Sequence, residues 1–249
     1  VKPMSLEHAI NGVDGVKGFE KIDRTTSPGK PLSGAKNLIM KPMEGPVEGV
    51  SEPWEFTAES GFYDDYNQLW SDYLRGMRHY LMFSCTLKDE PTKFSKAKRR
   101  IFASCPVVGT VASRQEFLPV IKFLQDNWKD TMCAVGINAQ GADWQELYEE
   151  LAKNPLDRIV AGDYKSFDKG AHTEFTLRAA YVQYAIAEAC GYPEEHLAVM
   201  RGIITDCTVP LYDWYGVFVS FLGSNPSGIP MTVHMNNFVN LLYVMYSFI

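Results

Sequence analysis

The chain of 249 residues carries 24 Lys and Arg against 30 Asp and Glu, a formal net charge of −6, with 46% hydrophobic and 22% charged residues. These are the proportions of an ordinary globular protein, and they exclude a disordered tail, a collagen-like repeat and a disulfide-dense miniprotein. The acidic balance argues against a generally basic nucleic-acid coat but leaves room for a local basic channel, because steering depends on where the charge sits.

Cys85, Cys105, Cys133, Cys190 and Cys207 are scattered without a C-x-x-C pair, so they read as reduced thiols rather than a disulfide frame or a zinc site. The apolar run from Phe238 to Ile249 is too short to span a bilayer, and the start lacks a signal-peptide layout. The expectation is a soluble intracellular protein without stable membrane insertion. Val1 and the closing Tyr246-Ser247-Phe248-Ile249 read as the edges of a piece of something longer.

Residues 1 to about 50 hold turn signals at Asn11-Gly12, Asp14-Gly15, Ser27-Pro28-Gly29 and Glu44-Gly45-Pro46, so an extended segment ordered by contact is expected there. From Ser60 to Met82 the spacing of Phe62, Tyr66, Leu69, Tyr73 and Met77 predicts a helix, followed by a strand from Tyr80 to Leu87. Gln115 to Trp128 is amphipathic, with Phe117, Val120, Ile121, Leu124 and Trp128 on one stripe. A short helix follows at Trp144 to Leu151. Arg158 to Ala161 reads as a buried strand that delivers Gly162 and Asp163. Thr173 to Cys190 is helical and closed by Gly191. Val209 to Leu222 alternates around Asp213-Trp214-Tyr215-Gly216 as a hairpin. Pro230 stands where a last helix would begin. Strands and helices are mixed without a regular βαβ count, which gives an α+β or irregular α/β fold.

Three stretches carry chemistry. In Gly162-Asp163-Tyr164-Lys165-Ser166-Phe167-Asp168, two carboxylates five apart, one at a strand end, suit a hard divalent cation that takes oxygen ligands. A pair of surface aspartates is the bland alternative. In Ser227-Gly228-Ile229-Pro230-Met231-Thr232, followed by Asn236, a Ser-Gly turn offers N–H groups to phosphate or ribose. Thr232 and Asn236 share a helix face and both can bond a hydroxyl; a plain polar helix start is the alternative. Lys88, Lys93, Lys96, Lys98, Arg99 and Arg100 crowd one short stretch. They would neutralise a triphosphate or a nucleic-acid backbone, or merely form a solvated loop.

Together these stretches resemble the RNA-dependent RNA polymerases of picorna-like positive-strand RNA viruses. Asp163-Tyr164-x-x-Phe167-Asp168 resembles motif A, and Ser227-Gly228-x-Pro-x-Thr232-x-x-x-Asn236 resembles motif B. Lys88-Asp89-Glu90 with Lys98-x-Arg100-Ile-Phe resembles motif F, and Thr26-Ser27-Pro28-Gly29-x-Pro31 resembles motif G. They stand in the family's order. Cys133-Ala134-Val135-Gly136 with Trp144 is similar to the segment before motif A. Motif C, Gly-Asp-Asp, does not occur; the only Gly-Asp is Gly162-Asp163.

The resemblance implies a right-hand polymerase fold of the α+β class, with fingers and the first part of the palm, and without the thumb. Fingers would take residues 1–120 and a hairpin insertion at 205–223; palm would take 121–204 and 224–249. It implies two-metal nucleotidyl transfer with Mg²⁺, or Mn²⁺ in its place, and a piece that is inactive alone. Asp163 and the backbone carbonyl of Tyr164 would hold metal, and Asp168, Thr232 and Asn236 would read the ribose 2′-hydroxyl. Arg100 would lie along the triphosphate with Lys93 or Lys96, and Lys88 would line the nucleotide channel. Ser227 and Gly228 would support nucleotide and template; Thr26, Ser27 and Gly29 would lie beside the template.

Implied partners are RNA template and primer, ribonucleoside triphosphates and other viral replication proteins, in host cytoplasm at membrane-associated replication complexes. A non-catalytic RNA-binding module with a polymerase-like shell is the alternative. A reverse transcriptase is disfavoured by the Asp168–Asn236 pairing, and a phosphatase explains neither motif B nor motif F. His172 and His234 read as satisfied structural histidines, the Trp and Tyr residues as core, and Cys190 and Cys207 as buried small apolar groups.

Overall fold

The computed structural model describes residues 1–91, 100–165, 167–223 and 225–249, without the side chains of Leu156, Asp168 and Lys169. The N-terminal segment starts with a helix that turn signals alone did not announce, α1 (Leu6–Asn11). The Ser5 side chain accepts from the His8 amide and caps it. Beyond it the chain is anchored by buried Ile10, Ile22 and Met40, and by a small hairpin of β1 (Met40–Pro42) with β2 (Trp54–Phe56). The segment is therefore ordered by contact, as expected.

Helix α2 (Phe62–Leu74) buries Phe62, Tyr66, Leu69 and Tyr73. It ends before Met77, which is 46% exposed, because the chain turns at Arg75-Gly76 with Gly76 at φ +71°. Helix α3 (Val107–Asp126) is the amphipathic helix, extended toward its N-terminus by a run buried on every side; Trp128 falls outside it and opens α4 (Trp128–Thr131). Next come α5 (Ala142–Leu151), α6 (Phe167–Gly170), α7 (Thr173–Ala189) and α8 (Glu194–Thr208). The last helix, α9 (Thr232–Tyr246), starts two residues after Pro230, because a turn closed by the Thr232 amide on the Ile229 carbonyl precedes it.

Helix α8 packs on α2, α3 and α7, and α9 packs on α7. Met200, Ile203 and Ile204 of α8 form the middle of this core, with Leu69, Val111, Val120, Ala179 and Met235 around them. The fully buried Asp206 ties helices to sheet, accepting from Arg78 Nε at 2.7 Å, Tyr73 Oη at 2.8 Å and the Leu81 amide at 3.2 Å. Several donors are what a carboxylate taken out of water requires. Next to it lies a four-stranded sheet in the order β4-β3-β5-β6, made of β3 (Met82–Leu87), β4 (Ile101–Ser104), β5 (Leu211–Trp214) and β6 (Val217–Ser220). The β5–β6 pair is the expected hairpin, and β3 with β5 is the one parallel pair among the described strands.

Three expectations need correction. Arg158 to Ala161 is not a buried strand: a 3₁₀ turn spans Leu156–Arg158, Ile159 is 39% and Val160 92% exposed, and the chain stays irregular through Tyr164. An apolar run becomes a strand only beside a pairing strand, and no described strand lies there. Cys190 is exposed, because it caps the open end of α7, whereas Cys207 is buried. None of the tryptophans is fully buried, and Trp144 and Trp214 are 56% and 41% exposed.

Candidate functional site

The first functional cluster forms at the two ends of β4. At its start, Arg100 lies across from Lys88, whose amide donates to the Arg100 carbonyl at 2.9 Å. Both side chains point at one carboxylate oxygen: Glu90 Oε2 is 3.3 Å from Lys88 Nζ and 3.4 Å from Arg100 Nη1. Lys88 and Arg100 are largely in solvent, so each pair is worth at most about 1 kcal/mol and yields readily to a more highly charged anion. Lys93 and Lys96 lie outside the described residues, as do Lys98 and Arg99.

At the other end of β4 two turns meet. The Ala103 amide donates to Ser227 Oγ at 3.1 Å, and Ser104 forms a parallel bridge with Gly228. A Cβ on Gly228 would overlap the Ala103 carbonyl oxygen and lie 3.0 Å from Ser104 Cα, so the approach needs glycine. The Thr26–Gly29 loop meets the chain just beyond the end of β4. The Val107 amide donates to the Pro28 carbonyl at 2.6 Å, and a Cβ on Gly29, which has φ +76°, would lie 2.9 Å from Pro106 Cα.

That loop is fastened from within. The buried Lys36 ammonium donates to the Thr26 hydroxyl, and to the Ser27 carbonyl at 2.9 Å, and burial lowers its pKa. Lys30 pairs with Asp213 of β5, and that ammonium holds the Asp213 carboxyl below the usual carboxylate range.

The second cluster lies along α9. Thr232, Asn236 and Asn240 follow one another at four-residue intervals and so share a face. Thr232 Oγ1 donates to the Pro226 carbonyl at 2.7 Å, with the Ile229 carbonyl at 3.0 Å. Asn236 Oδ1 accepts from Asn225 Nδ2 at 2.9 Å. One turn on, Tyr164 Oη donates to Asn240 Oδ1 at 2.9 Å, and the Phe167 ring packs at a tilt against Tyr164 and edge-on to Tyr243, with centroids 4.9 and 6.4 Å away. The segment carrying Asp163 is therefore docked beside the polar stripe of α9. Asp163 itself is exposed; Asp168 sits in α6, and its side chain lies outside the described residues.

Among the described residues no three His, Cys, Asp or Glu side chains are grouped to hold a metal. The donors that are present, the exposed Asp163 carboxylate and the backbone carbonyl of Tyr164 after it, are hard oxygens of the kind Mg²⁺ prefers. His172 caps α7, its Nδ1 accepting from the Glu174 amide at 3.3 Å. His234 is buried with neither ring nitrogen partnered among the described residues, so it is structural but not satisfied, and burial pulls its pKa down to about 4.

A sequence model described as viral RNA-dependent RNA polymerase matches residues 1–249. The chain belongs to that family. The replicase polyprotein of Drosophila C virus (strain EB) is 27% identical over 99% of this polymerase-family chain, which spans 14% of that polyprotein. The RNA1 polyprotein of cowpea mosaic virus (strain SB) is 27% identical over 98% of it, which spans 13% of that polyprotein. Among solved structures, a Sicinivirus 3Dpol RNA-dependent RNA polymerase superposes with a TM-score of 0.75 at 18% identity. The match covers 99% of this chain and 49% of that one. The fold is thus the mixed α+β fold of a viral polymerase, over about half of such a chain. The resemblance to picorna-like viral polymerases holds.

Sequence reading missed Asn225, Asn240 and the role of Glu90. Asn240 had a signal, as the next polar residue on the stripe of Thr232 and Asn236. Asn225 and Glu90 act through chain segments brought together only by the fold. Among the described residues no helix is long and apolar enough to cross a membrane.

Proposed function

We propose that this chain is the template-handling and nucleotide-binding part of a viral RNA-dependent RNA polymerase, with fingers and palm divided as the sequence suggests. The observation that carries the reading is convergence along β4: Arg100 before its start, Ser227-Gly228 on its last residues, and the Thr26–Gly29 loop on Pro106-Val107 just beyond its end. Residues scattered over two hundred positions meet around one four-residue strand.

The template strand passes between Thr26, Ser27 and Gly29 on one side and Ser227 on the other. The incoming triphosphate displaces Glu90 from Lys88 and Arg100, joined by Lys93 or Lys96. Arg100 presents a planar fork to phosphate oxygens and stabilises the charge that grows on the leaving pyrophosphate. The ribose 2′-hydroxyl is read by Asp168, Thr232 and Asn236. Thr232 spends its proton on backbone carbonyls, so it accepts; Asn236 has its oxygen engaged by Asn225, so its Nδ2 donates. A deoxynucleotide would leave that donor unpaired, which is the source of discrimination.

Asp163 and the Tyr164 carbonyl would hold Mg²⁺, with Mn²⁺ as a substitute; in two-metal nucleotidyl transfer the cations neutralise triphosphate charge and acidify the primer 3′-hydroxyl. The partners are RNA template and primer, ribonucleoside triphosphates and other viral replication proteins, and the setting is host cytoplasm at membrane-associated replication complexes.

The test is primer extension on an RNA template with Mg²⁺, using the chain continued through its downstream reading frame, beside Asp163→Ala. Incorporation should vanish in the variant while its melting temperature stays unchanged, because Asp163 is exposed and bonds nothing among the described residues. The second reading is a non-catalytic RNA-binding module that keeps a polymerase-like shell. A folded, continued chain that binds RNA yet incorporates nothing with any primer or metal would establish it.

A further inference from the structure

A cleft of about 450 Å³ opens between the sheet and the strand of chain that leads into Ser227. Its floor follows from strand alternation. Ile101 and Ala103 of β4, Cys85 of β3, and Tyr212 and Trp214 of β5 are alternate residues whose pairing (Cys85 opposite Ala103, Phe83 opposite Tyr212) puts them on one face. Its roof is Phe221 to Gly223 with Asn225 to Ser227. The volume is that of an ordinary small-molecule site.

Three features define what fits. No Asp, Glu, Lys, Arg or His lines the cleft among the described residues, so a charged ligand would lose its hydration without a partner. The walls are aromatic and aliphatic, with Trp214 and Phe221 still 41% and 53% exposed, which suits a flat ring. Two polar side chains flank the roof: Asn225, buried, with its Oδ1 unpartnered among the described residues, and Ser227, exposed at the mouth, whose Oγ accepts from the Ala103 amide and, among the described residues, keeps its own proton to donate. The Cys85 thiol, its pKa raised by burial, adds no charge.

We propose that this cleft is a binding site for an uncharged, planar heteroaromatic molecule bearing a hydrogen-bond acceptor, which lies on the sheet face and meets the Ser227 hydroxyl. Because Ser227 is held to β4 through the Ala103 amide, the occupant sits against the contact that positions the Ser227-Gly228 turn. Occupation therefore couples to that turn. The inference stands on the cleft alone and does not depend on polymerase activity.

The probe is 6-fluoroquinoline, a flat bicycle with one ring-nitrogen acceptor, titrated into the 249-residue chain. Its fluorine signal should broaden saturably with a midpoint of about 0.1–1 mM, as expected for a fragment of this size. The backbone amide signals of Ala103, Gly223 and Ser227 should shift together. Ala103→Leu, which fills the floor, should weaken binding at least about tenfold, and Ser227→Ala about three- to tenfold through the lost hydrogen bond. Should Ala103→Leu fail to fold, Phe221→Ala on the exposed roof should weaken binding about threefold with an unchanged melting temperature. Absence of saturable broadening in the folded chain overturns the proposal. So does unchanged affinity in the folded variants, or amide shifts confined to residues away from the cleft.

Discussion

The two sequence stretches that most resemble polymerase motifs are held in different ways. The Ser227-Gly228 turn is pinned by backbone: a bridge to Ser104, the Ala103 amide on Ser227, and a contact with no room for a Cβ. The Asp163 segment is irregular and exposed from Ile159 to Lys165, and it is held to α9 by the Tyr164–Asn240 bond and by the tilted contact of the Tyr164 and Tyr243 rings. A Cβ on Gly162 would meet nothing within 4 Å. The turn gets its geometry from the fold of this chain. The carboxylate gets only its neighbourhood from it.

The largest effect should come from the pinned side. Gly228→Ala cannot be accommodated without parting the turn from β4, and overpacking of this kind costs about 1–3 kcal/mol. In a domain of this size that lowers the melting temperature by about 2–4 °C per kcal/mol. In the continued chain, primer extension should fall about a hundredfold, since displacements near 1 Å carry such penalties. Unchanged melting and unchanged extension would show that the turn is not positioned by β4.

The next effect tests the dry side of α9. His234 is buried and unpartnered among the described residues, and desolvation takes its pKa from 6.5 to about 4. The unfolded chain thus binds a proton that the folded chain refuses between pH 6.5 and about 4. Stability rises with pH through that window and is lost as pH falls through it, by at most about 1.4 kcal/mol per pH unit. The Glu116–His196 pair works the other way. Both pKa values are raised, Glu116 by burial and His196 by its hydrogen bond to Glu116, so that pair loses stability as pH rises. Urea midpoints of wild type and His234→Phe at pH 7 and pH 5 separate the two. The variant should lose the acid-side decline; an equal decline in both proteins would assign it elsewhere.

How much was readable divides along the same line. The motif residues were legible because their types and spacings are a sequence pattern, and the helices with a clean stripe, such as Phe62-Tyr66-Leu69-Tyr73, were legible by period. The first part of α3, Val107-Val108-Gly109-Thr110-Val111-Ala112, was not, because a helix buried all round has no polar face to set its period. Nor was α8 singled out, although Glu194-Glu195 after Pro193 with Leu197, Met200 and Ile204 is a helix start and stripe. The strand expected at Arg158 to Ala161 failed for the converse reason, since an apolar run states a preference whose fulfilment rests on a partner strand. Glu90 stood in plain view beside Lys88, but its pairing with Arg100 is a property of the β3–β4 pair.

The smallest effects test the loose side, and they decide whether the neighbourhood of Asp163 is a feature of this chain at all. Tyr164→Phe removes the bond to Asn240 from a residue that is 48% exposed, a loss of about 0.5–1 kcal/mol at most. Global melting should barely register it. Local opening should register it, because trypsin cutting after Arg158 or Lys165 follows the population of the opened segment when opening is fast, and that energy is about a two- to fivefold change in rate. Gly162→Ala, with open space around it, should change neither melting nor nicking. If Tyr164→Phe also leaves the nicking rate unchanged, the Asn240 contact does not hold the segment. Asp163 would then stand beside the Asn236 stripe by chain connectivity alone, and the ribose-reading arrangement would have to be assembled by the nucleotide itself.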